Sequence, residues 1–390
     1  MPAIPARPAE RLGIPEQELA ALGALWTARE IEQQPRMLER THALVAAMHA
    51  RLQAFSAPVA DDPGARVLLA GAGTSAYIGE CLAPLLDRQF AARVDAIPTT
   101  DIVGAPALYL DPDRPLLLVS FGRSGNSPES LAAVALAEAR VPDVRHLVVT
   151  CNANGDLARI DVRRHATLLL PEETHDASFA MTSSFSCMLY ATLAALSPAH
   201  ALDARIGPVA HATAAMIEGQ RAMLESLARA RHDRVVFLGS GLLQGLAREA
   251  ALKLGELSNG AVATCFDTPL GFRHGPKTFL TPNTAVFAFV SNDPLTRLYD
   301  HDLLDELRRD GIAARVVELD AAPRQQPGIE AIAIPAMARA PDIDLVWPCV
   351  AAAQIYAFHA SLVRGLTPDN PNPGGTVNRV VQGVRIHGAP

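Results

Sequence analysis

The 390-residue chain reads as an α/β protein built from two tandem doubly wound parallel-sheet units. A helical lead-in precedes them and an irregular C-terminal tail follows. Three observations carry this reading. Short runs of Val, Ile and Leu alternate with helix-length segments, the pattern of a parallel sheet covered on both faces. The motif Arg, four apolar residues, Gly-x-Gly and a helix occurs twice, in RVLLAGAGTSAYIGECLAPLL at 66–86 and in RVVFLGSGLLQGLAREAALKL at 234–254. Later segments repeat at the same offset, ARVVELD matching HLVVTCN, so one unit of about 150 residues is used twice.

Element by element, residues 1–15 are Pro-rich and predict an extended arm. From Pro15 to Phe55, apolar residues recur at three- and four-residue steps, with a pause at Pro35, and predict helices. RVLLAGAGTS predicts strand, tight turn and helix start. ARVDAIPTTD is a second strand, and PLLLVSFGRSGNSPESLAAVALAEA is strand, loop and helix. VRHLVVTCN and HATLLLPEE add two strands, and TSSFSCMLYATLAAL a helix with a hydroxyl-rich start. IGPVAHATAAMIEGQRAMLESLARA predicts a linking helix. The organisation expected is 1–55 arm and helices, 56–205 first unit, 206–365 second unit and 366–390 tail. The tail, GLTPDNPNPGGTVNRVVQGVRIHGAP, is too rich in Pro, Gly and Asn for regular structure.

Composition excludes several functional classes. Apolar residues make up 49% and charged residues 19%, which is globular. Net charge is −7 with no Lys/Arg block, so no nucleic-acid partner is expected. No run of about 18 uninterrupted apolar residues exists to cross a membrane. The N-terminus lacks a charged start followed by an apolar stretch, and the five cysteines form no CxxC pair and no zinc spacing. Reduced thiols, a cytoplasmic location and no metal or organic cofactor are the expectations.

SFGRSGNSPES, at 120–130, sits between a strand and a helix. Gly122 and Gly125 let backbone amides approach a ligand. Ser124 and Ser127 offer hydroxyls, Arg123 supplies charge, and Pro128 starts a helix whose N-terminus faces the loop. Such a loop suits a phosphate monoester. It lacks the Lys-Ser/Thr ending of a nucleotide-triphosphate loop, and Ser127 as a simple helix cap is the alternative. GAGTS, at 71–75, is either a plain βα turn or a dinucleotide turn with Asp95 as the ribose acid, although its third glycine is missing. Ligands sit at the carboxyl ends of such strands, so Ser75, the 122–127 loop and Thr182–Ser183 should converge there.

AREAALKLGELSNG places Glu249, Lys253 and Glu256 at i, i+4 and i+7, on one stripe of a helix. That stripe is either a solvated ion-paired face or a set of acid/base groups. His274, in an Arg-His-Gly-Pro turn, is a further acid/base candidate.

Together these motifs resemble the sugar isomerase (SIS) domain family, whose phosphate loop reads SxSGxT where this chain has GRSGNS. The second half is similar to the isomerase domain of glucosamine-6-phosphate synthase, with LKxxE…HGP matched by Lys253, Glu256 and His274–Pro276. LWTAREIEQQP, SFGRSGNSPES and DNPNPGGTVNRVVQG resemble the AgaS-type family. The resemblance implies a deaminating aldose–ketose isomerase that converts galactosamine 6-phosphate to tagatose 6-phosphate and ammonia. It implies Glu256 as the C1–C2 proton shuttle and His274 as the ring-opening group. Lys253 and Arg379 would stabilise charge on oxygen, although Arg379 stands where the family has Lys. The phosphate set would be Ser75, Gly122, Arg123, Ser124, Ser127, Thr182 and Ser183. A homo-oligomer with the site at a subunit interface is also implied. The alternatives are an isomerase that releases no ammonia and a non-catalytic sugar-phosphate sensor; residues 1–60 show no basic recognition helix of the kind such regulators carry.

Overall fold

The computed structural model describes residues 9–388. The arm expected over residues 1–15 lies partly outside them. From residue 9 the chain turns back on itself rather than extending. β1 (Glu10–Arg11) and β2 (Ile14–Pro15) pair antiparallel, and Leu12 and Gly13 between them have φ of 46° and 71°. A type I′ hairpin turn needs positive φ at both central positions. The lead-in is α1 (Glu16–Ala21), α2 (Leu25–Glu32) and α3 (Gln34–Ala60). Pro35 lies in the first turn of α3, where its missing N–H costs nothing.

The first unit runs β3 (Arg66–Ala70), α4 (Thr74–Leu86), β4 (Arg93–Ala96), α5 (Thr99–Gly104), α6 (Pro106–Tyr109), β5 (Leu116–Gly122), α7 (Pro128–Arg140), β6 (Val144–Thr150), β7 (His165–Leu169) and α8 (Ser183–Leu196). Its five strands pair in parallel in the order β4-β3-β5-β6-β7. The chain order reverses between β3 and β5, which creates a crevice at their carboxyl ends.

The expected linking helix is two helices, α9 (Asp203–Gly219) and α10 (Arg221–Arg229), broken after Gly219. Both pack on the final helix and belong to the core. The second unit runs β8 (Arg234–Gly239), α11 (Leu243–Leu257), β9 (Ala263–Asp267), α12 (Pro269–Phe272), β10 (Thr284–Phe289), α13 (Pro294–Asp310), β11 (Arg315–Asp320), β12 (Glu330–Ala333) and α14 (Asp342–Leu362). Its parallel order, β9-β8-β10-β11-β12, repeats that of the first sheet. By length and composition α14 could cross a membrane, but 94% of its most apolar stretch is buried inside the protein. It is a core helix.

The two units share one apolar core. The equivalent helices α4 and α11 pack against each other, and Ile78, Leu82, Leu246 and Leu254 are fully buried there. Burial of each such side chain contributes about 1.5–3 kcal/mol. Glu80 and Arg248 occupy equivalent positions, 168 residues apart, and pair at 2.6 Å across this contact. A Cβ on Gly245 would lie 2.9 Å from the backbone nitrogen and sulfur of Cys81, so the two helices touch backbone to backbone here. All five cysteines are free, and only Cys265 is not fully buried.

Candidate active site

A cleft lies at the β3/β5 crevice. It is lined by Ser75, Gly122, Arg123, Ser124, Gly125, Ser127, Ser130, Met181 and the tail residues Arg379–Val381. Its volume of about 110 Å³ is on the scale of a small anion. Two glycine-dependent turns shape it. A Cβ on Gly71 would meet Ser75 at 2.5 Å, and Gly73 has φ 56°, so the chain doubles back tightly into α4 and brings Ser75 to the cleft. The 122–127 loop lies flat on residues 155–157. A Cβ on Gly122 would meet Leu157 at 2.9 Å, and one on Gly155 would meet the Ser124 carbonyl at 2.3 Å. Asn152 Nδ2 donates to the Ser124 carbonyl at 2.8 Å, and Leu157 N–H to the Gly125 carbonyl at 2.9 Å.

No side chain caps α7, because the Ser127 hydroxyl donates to Glu129 at 2.8 Å instead. The matching helix of the second unit, α13, is capped by Asp293, whose carboxylate accepts from Leu295 N–H (3.1 Å) and Thr296 N–H (2.9 Å). A helix N-terminus attracts an anion. In the second unit the protein supplies that anion itself; in the first no side chain accepts from the N-terminal N–H groups, and Glu129 in the first turn is held by Ser127.

Arg123 is buried. Its Nη1 donates to the carbonyls of Ser178 (3.1 Å) and Phe179 (2.9 Å), and its Nη2 to that of Arg379 (3.0 Å). Among the described residues no carboxylate lies within ion-pair distance of it. Burial, and the nearby Arg379 charge, push its pKa down to about 10. A buried cation without an ion-pair partner is costly, and an anion in the cleft would offset that cost.

The Glu249–Lys253–Glu256 stripe is not a solvated face. Glu249 and Lys253 are 0% and 1% exposed, because α11 packs against α4, and only Glu256 reaches partial exposure. Lys253 Nζ contacts the Glu256 carboxylate and lies 3.7 Å from Glu249. Burial opposes the Lys253 charge, but the two carboxylates outweigh it and raise its pKa. Burial pushes Glu249 up to about 8, and neither of its oxygens has a hydrogen-bond partner. Neither Lys253 nor Glu256 lines the cleft, but the charges of both act on Arg123, which does.

Other expected residues are placed differently. Thr182 and Ser183 are fully buried and do not reach the cleft. Asp176 holds them from below: it accepts from Thr182 N–H (2.8 Å) and from the hydroxyls of Ser183 and Ser184, each at 2.5 Å. The Ser183 hydroxyl thus serves a buried carboxylate, whereas the buried Thr182 hydroxyl has no partner. Arg379 does line the cleft, but its guanidinium donates to the carbonyls of Asp176 (3.1 Å) and Ser178 (3.2 Å), which moors the tail. His274 is exposed beyond α12 and outside the cleft. Asp95 is ion-paired with Arg66 (2.8 Å) and Arg93 (3.1 Å), so it does not serve as a ribose acid. Sequence reasoning passed over Asp176 and Glu30, whose polar character gave no sign of burial.

Two features elsewhere do not contribute. His301, Glu318 and Asp320 have metal-like spacing, but Arg308 (2.8 Å) and Arg324 (2.7 Å) neutralise Glu318, and Arg297 binds Asp320 at 2.6 Å. The trio is an ion-pair network. A larger cavity of 220 Å³, beside His42, His49 and His200, lies toward the far end of α8, about 16 Å along the helix axis from its start.

Comparison with known proteins now bears on this site. Residues 63–198 match the SIS domain family. D-galactosamine-6-phosphate deaminase AgaS of Shewanella sp. (strain ANA-3) is 43% identical over 95% of this chain and 94% of its own. The chain belongs to the AgaS family of SIS-domain proteins. The Escherichia coli family structure, named tagatose-6-phosphate ketose/aldose isomerase, superposes with a TM-score of 0.85 at 41% identity, covering 93% of this chain and 96% of that one. A Clostridium novyi NT structure, provisionally given the same name, superposes with a TM-score of 0.93 at 37% identity, covering 98% and 100%.

Proposed function

We propose that this chain is a deaminating aldose–ketose isomerase that converts D-galactosamine 6-phosphate and water to D-tagatose 6-phosphate and ammonia. The observation that carries the reading is the open anion cradle of residues 122–127, with its buried Arg123, on which the charges of the Lys253–Glu256 pair act. The names of the Shewanella and Escherichia coli relatives supply the substrate class.

In this reading the loop amides and the hydroxyls of Ser75, Ser124 and Ser127 hold the 6-phosphate over the Arg123 charge. Once the ring is open, Glu256 removes the proton from C2 and returns it to C1. The C2–N bond becomes an imine as C1 becomes a primary alcohol. Water adds at C2 and ammonia leaves, which restores a carbonyl there. Lys253 holds Glu256 in place and offsets charge developing on oxygen.

Ring opening is assigned to His274 of a second copy. Within one chain it stands outside the cleft, on a face where Leu270, Leu298 and Tyr299 are exposed. The enzyme is therefore a homo-oligomer, and its free cysteines support a cytoplasmic location.

The test is ammonia release from galactosamine 6-phosphate and glucosamine 6-phosphate, side by side. Release from the first alone is expected. If neither releases ammonia but tagatose 6-phosphate is turned over, the isomerase name of the Escherichia coli structure describes the reaction instead.

A further inference from the structure

Helix α2 lies outside both sheets, yet it carries a carboxylate into the wall behind the cleft. Glu30 is 4% exposed. Its Oε1 accepts from the backbone N–H of Ala177 (2.5 Å) and Ser178 (3.1 Å), and its Oε2 meets the Ser178 hydroxyl. Among the described residues no cation pairs with it. A buried carboxylate without an ion pair is costly, and an apolar side chain would serve α2 packing better. The cost falls on one short stretch of backbone, and that stretch reaches the cleft.

The carbonyls of Ser178 and Phe179 are the acceptors that hold Arg123 Nη1. Asp176 anchors the same loop from its other side through Thr182 and Ser184. The segment is thus clamped between two buried carboxylates, and Arg123 hangs on the carbonyls between them.

We propose that Glu30 is a positioning residue of the phosphate cleft: by fixing the Ala177–Phe179 backbone it sets the Arg123 guanidinium, and with it the affinity for a phosphate group. This rests on the reading of residues 122–127 as the phosphate cradle. Glu30 acts through hydrogen-bond geometry, by accepting from the Ala177 and Ser178 N–H groups. Burial and the Asp176 charge push it up to about 8, so near neutral pH a neutral side chain of the same shape should replace it.

Two volume-conserving variants test this. Glu30→Gln keeps an acceptor for the two N–H groups; Glu30→Met keeps the packing and removes the acceptor. The readouts are the Kd of inorganic phosphate by calorimetry and the steady-state constants with galactosamine 6-phosphate. Glu30→Met should weaken phosphate about 10-fold and raise KM by a similar factor, with kcat changed less than about 3-fold, since uniform binding is lost. Glu30→Gln should stay within about 3-fold of the wild type on every measure. If Glu30→Met does not fold, Glu30→Asp, one methylene short of the loop, is read in its place. Wild-type protein that binds no phosphate would remove the cradle reading, and this proposal with it. Wild-type binding with equal affinity in Glu30→Met, or a loss confined to kcat, would overturn the role of Glu30 alone.

Discussion

Replacing Glu256 with Gln separates chemistry from binding. The amide keeps the shape of the side chain and its contact with Lys253 Nζ, but it cannot take up a proton. General acid–base catalysis is worth about 10²–10⁴ in rate, so kcat should fall by at least about 100-fold, or about 2.7 kcal/mol in barrier height. KM should move less than about 3-fold, because the cradle of residues 122–127 is untouched. The cost in stability is buffered. Lys253, 1% exposed, loses a carboxylate, but Glu249 stands 3.7 Å away. Burial is the main cause that raises Glu249 and the Glu256 charge adds to it, so removing that charge favours ionisation of Glu249 beside the lysine. We expect a loss of about 1–3 kcal/mol, short of the 3–5 kcal/mol for a buried pair broken without a substitute. The assays are ammonia release under saturating substrate, exchange of the C2 proton with solvent deuterium, and thermal melting. Turnover within about 3-fold of the wild type, with exchange intact, would refute the proton-shuttle role. A raised KM with kcat preserved would make Glu256 a binding group.

Three further outcomes are expected. Mixing His274→Ala and Glu256→Gln proteins, each inactive alone, should restore about a quarter of wild-type activity if the site spans two copies of a symmetric dimer; no recovery after subunit exchange would show that His274 does not complete the site of a second copy. Gly245→Ala should destabilise the protein by about 1–3 kcal/mol, because its Cβ meets Cys81 at 2.9 Å where the halves join; an unchanged melting temperature would show that α4 and α11 can separate at no cost. Glu249, held at about 8 against an ordinary 4.5, binds a proton in the folded protein that the unfolded chain has released. Its contribution to stability is therefore present at low pH and is lost as pH rises through 8. Buried His359, lowered from 6.5 to about 4, acts in the opposite sense below 6.5, and Glu30, raised to about 8, acts in the same sense as Glu249, so the Glu249 contribution is read above pH 6.5 as the difference between the wild type and Glu249→Gln. Melting temperature should fall as pH rises there and Glu249→Gln should flatten the fall; identical slopes in the two proteins would mean that Glu249 ionises normally.

Much of the architecture was legible in the linear chain because strand and helix periodicity are local. The repeated Arg-apolar-Gly-x-Gly unit, the five strands of the first sheet, three of the second and the 122–127 loop follow from patterns that need no distant partner; β9 and β12 do not stand out in the chain. The turns are legible for the same reason: Gly71 and Gly122 stand where any Cβ would collide within the turn or just behind it. Helical spacing likewise put Glu249, Lys253 and Glu256 on one stripe. Whether that stripe meets water or protein is a property of the neighbouring helix, and only the packing of α11 on α4 turned it inward. The Ser183 hydroxyl looks like a ligand donor in sequence, but its partner, Asp176, which also accepts from the Thr182 N–H, was recognisable as a buried acceptor only in three dimensions. Glu30, about 150 residues from the loop it holds, carries no local sign at all. The chain by itself determined its elements, its repeat and its phosphate-type loop, which depend on residues close in sequence. Burial, charge pairing and the mooring of Arg123 and Arg379 depend on groups brought together by the fold, and the tertiary structure alone decided them.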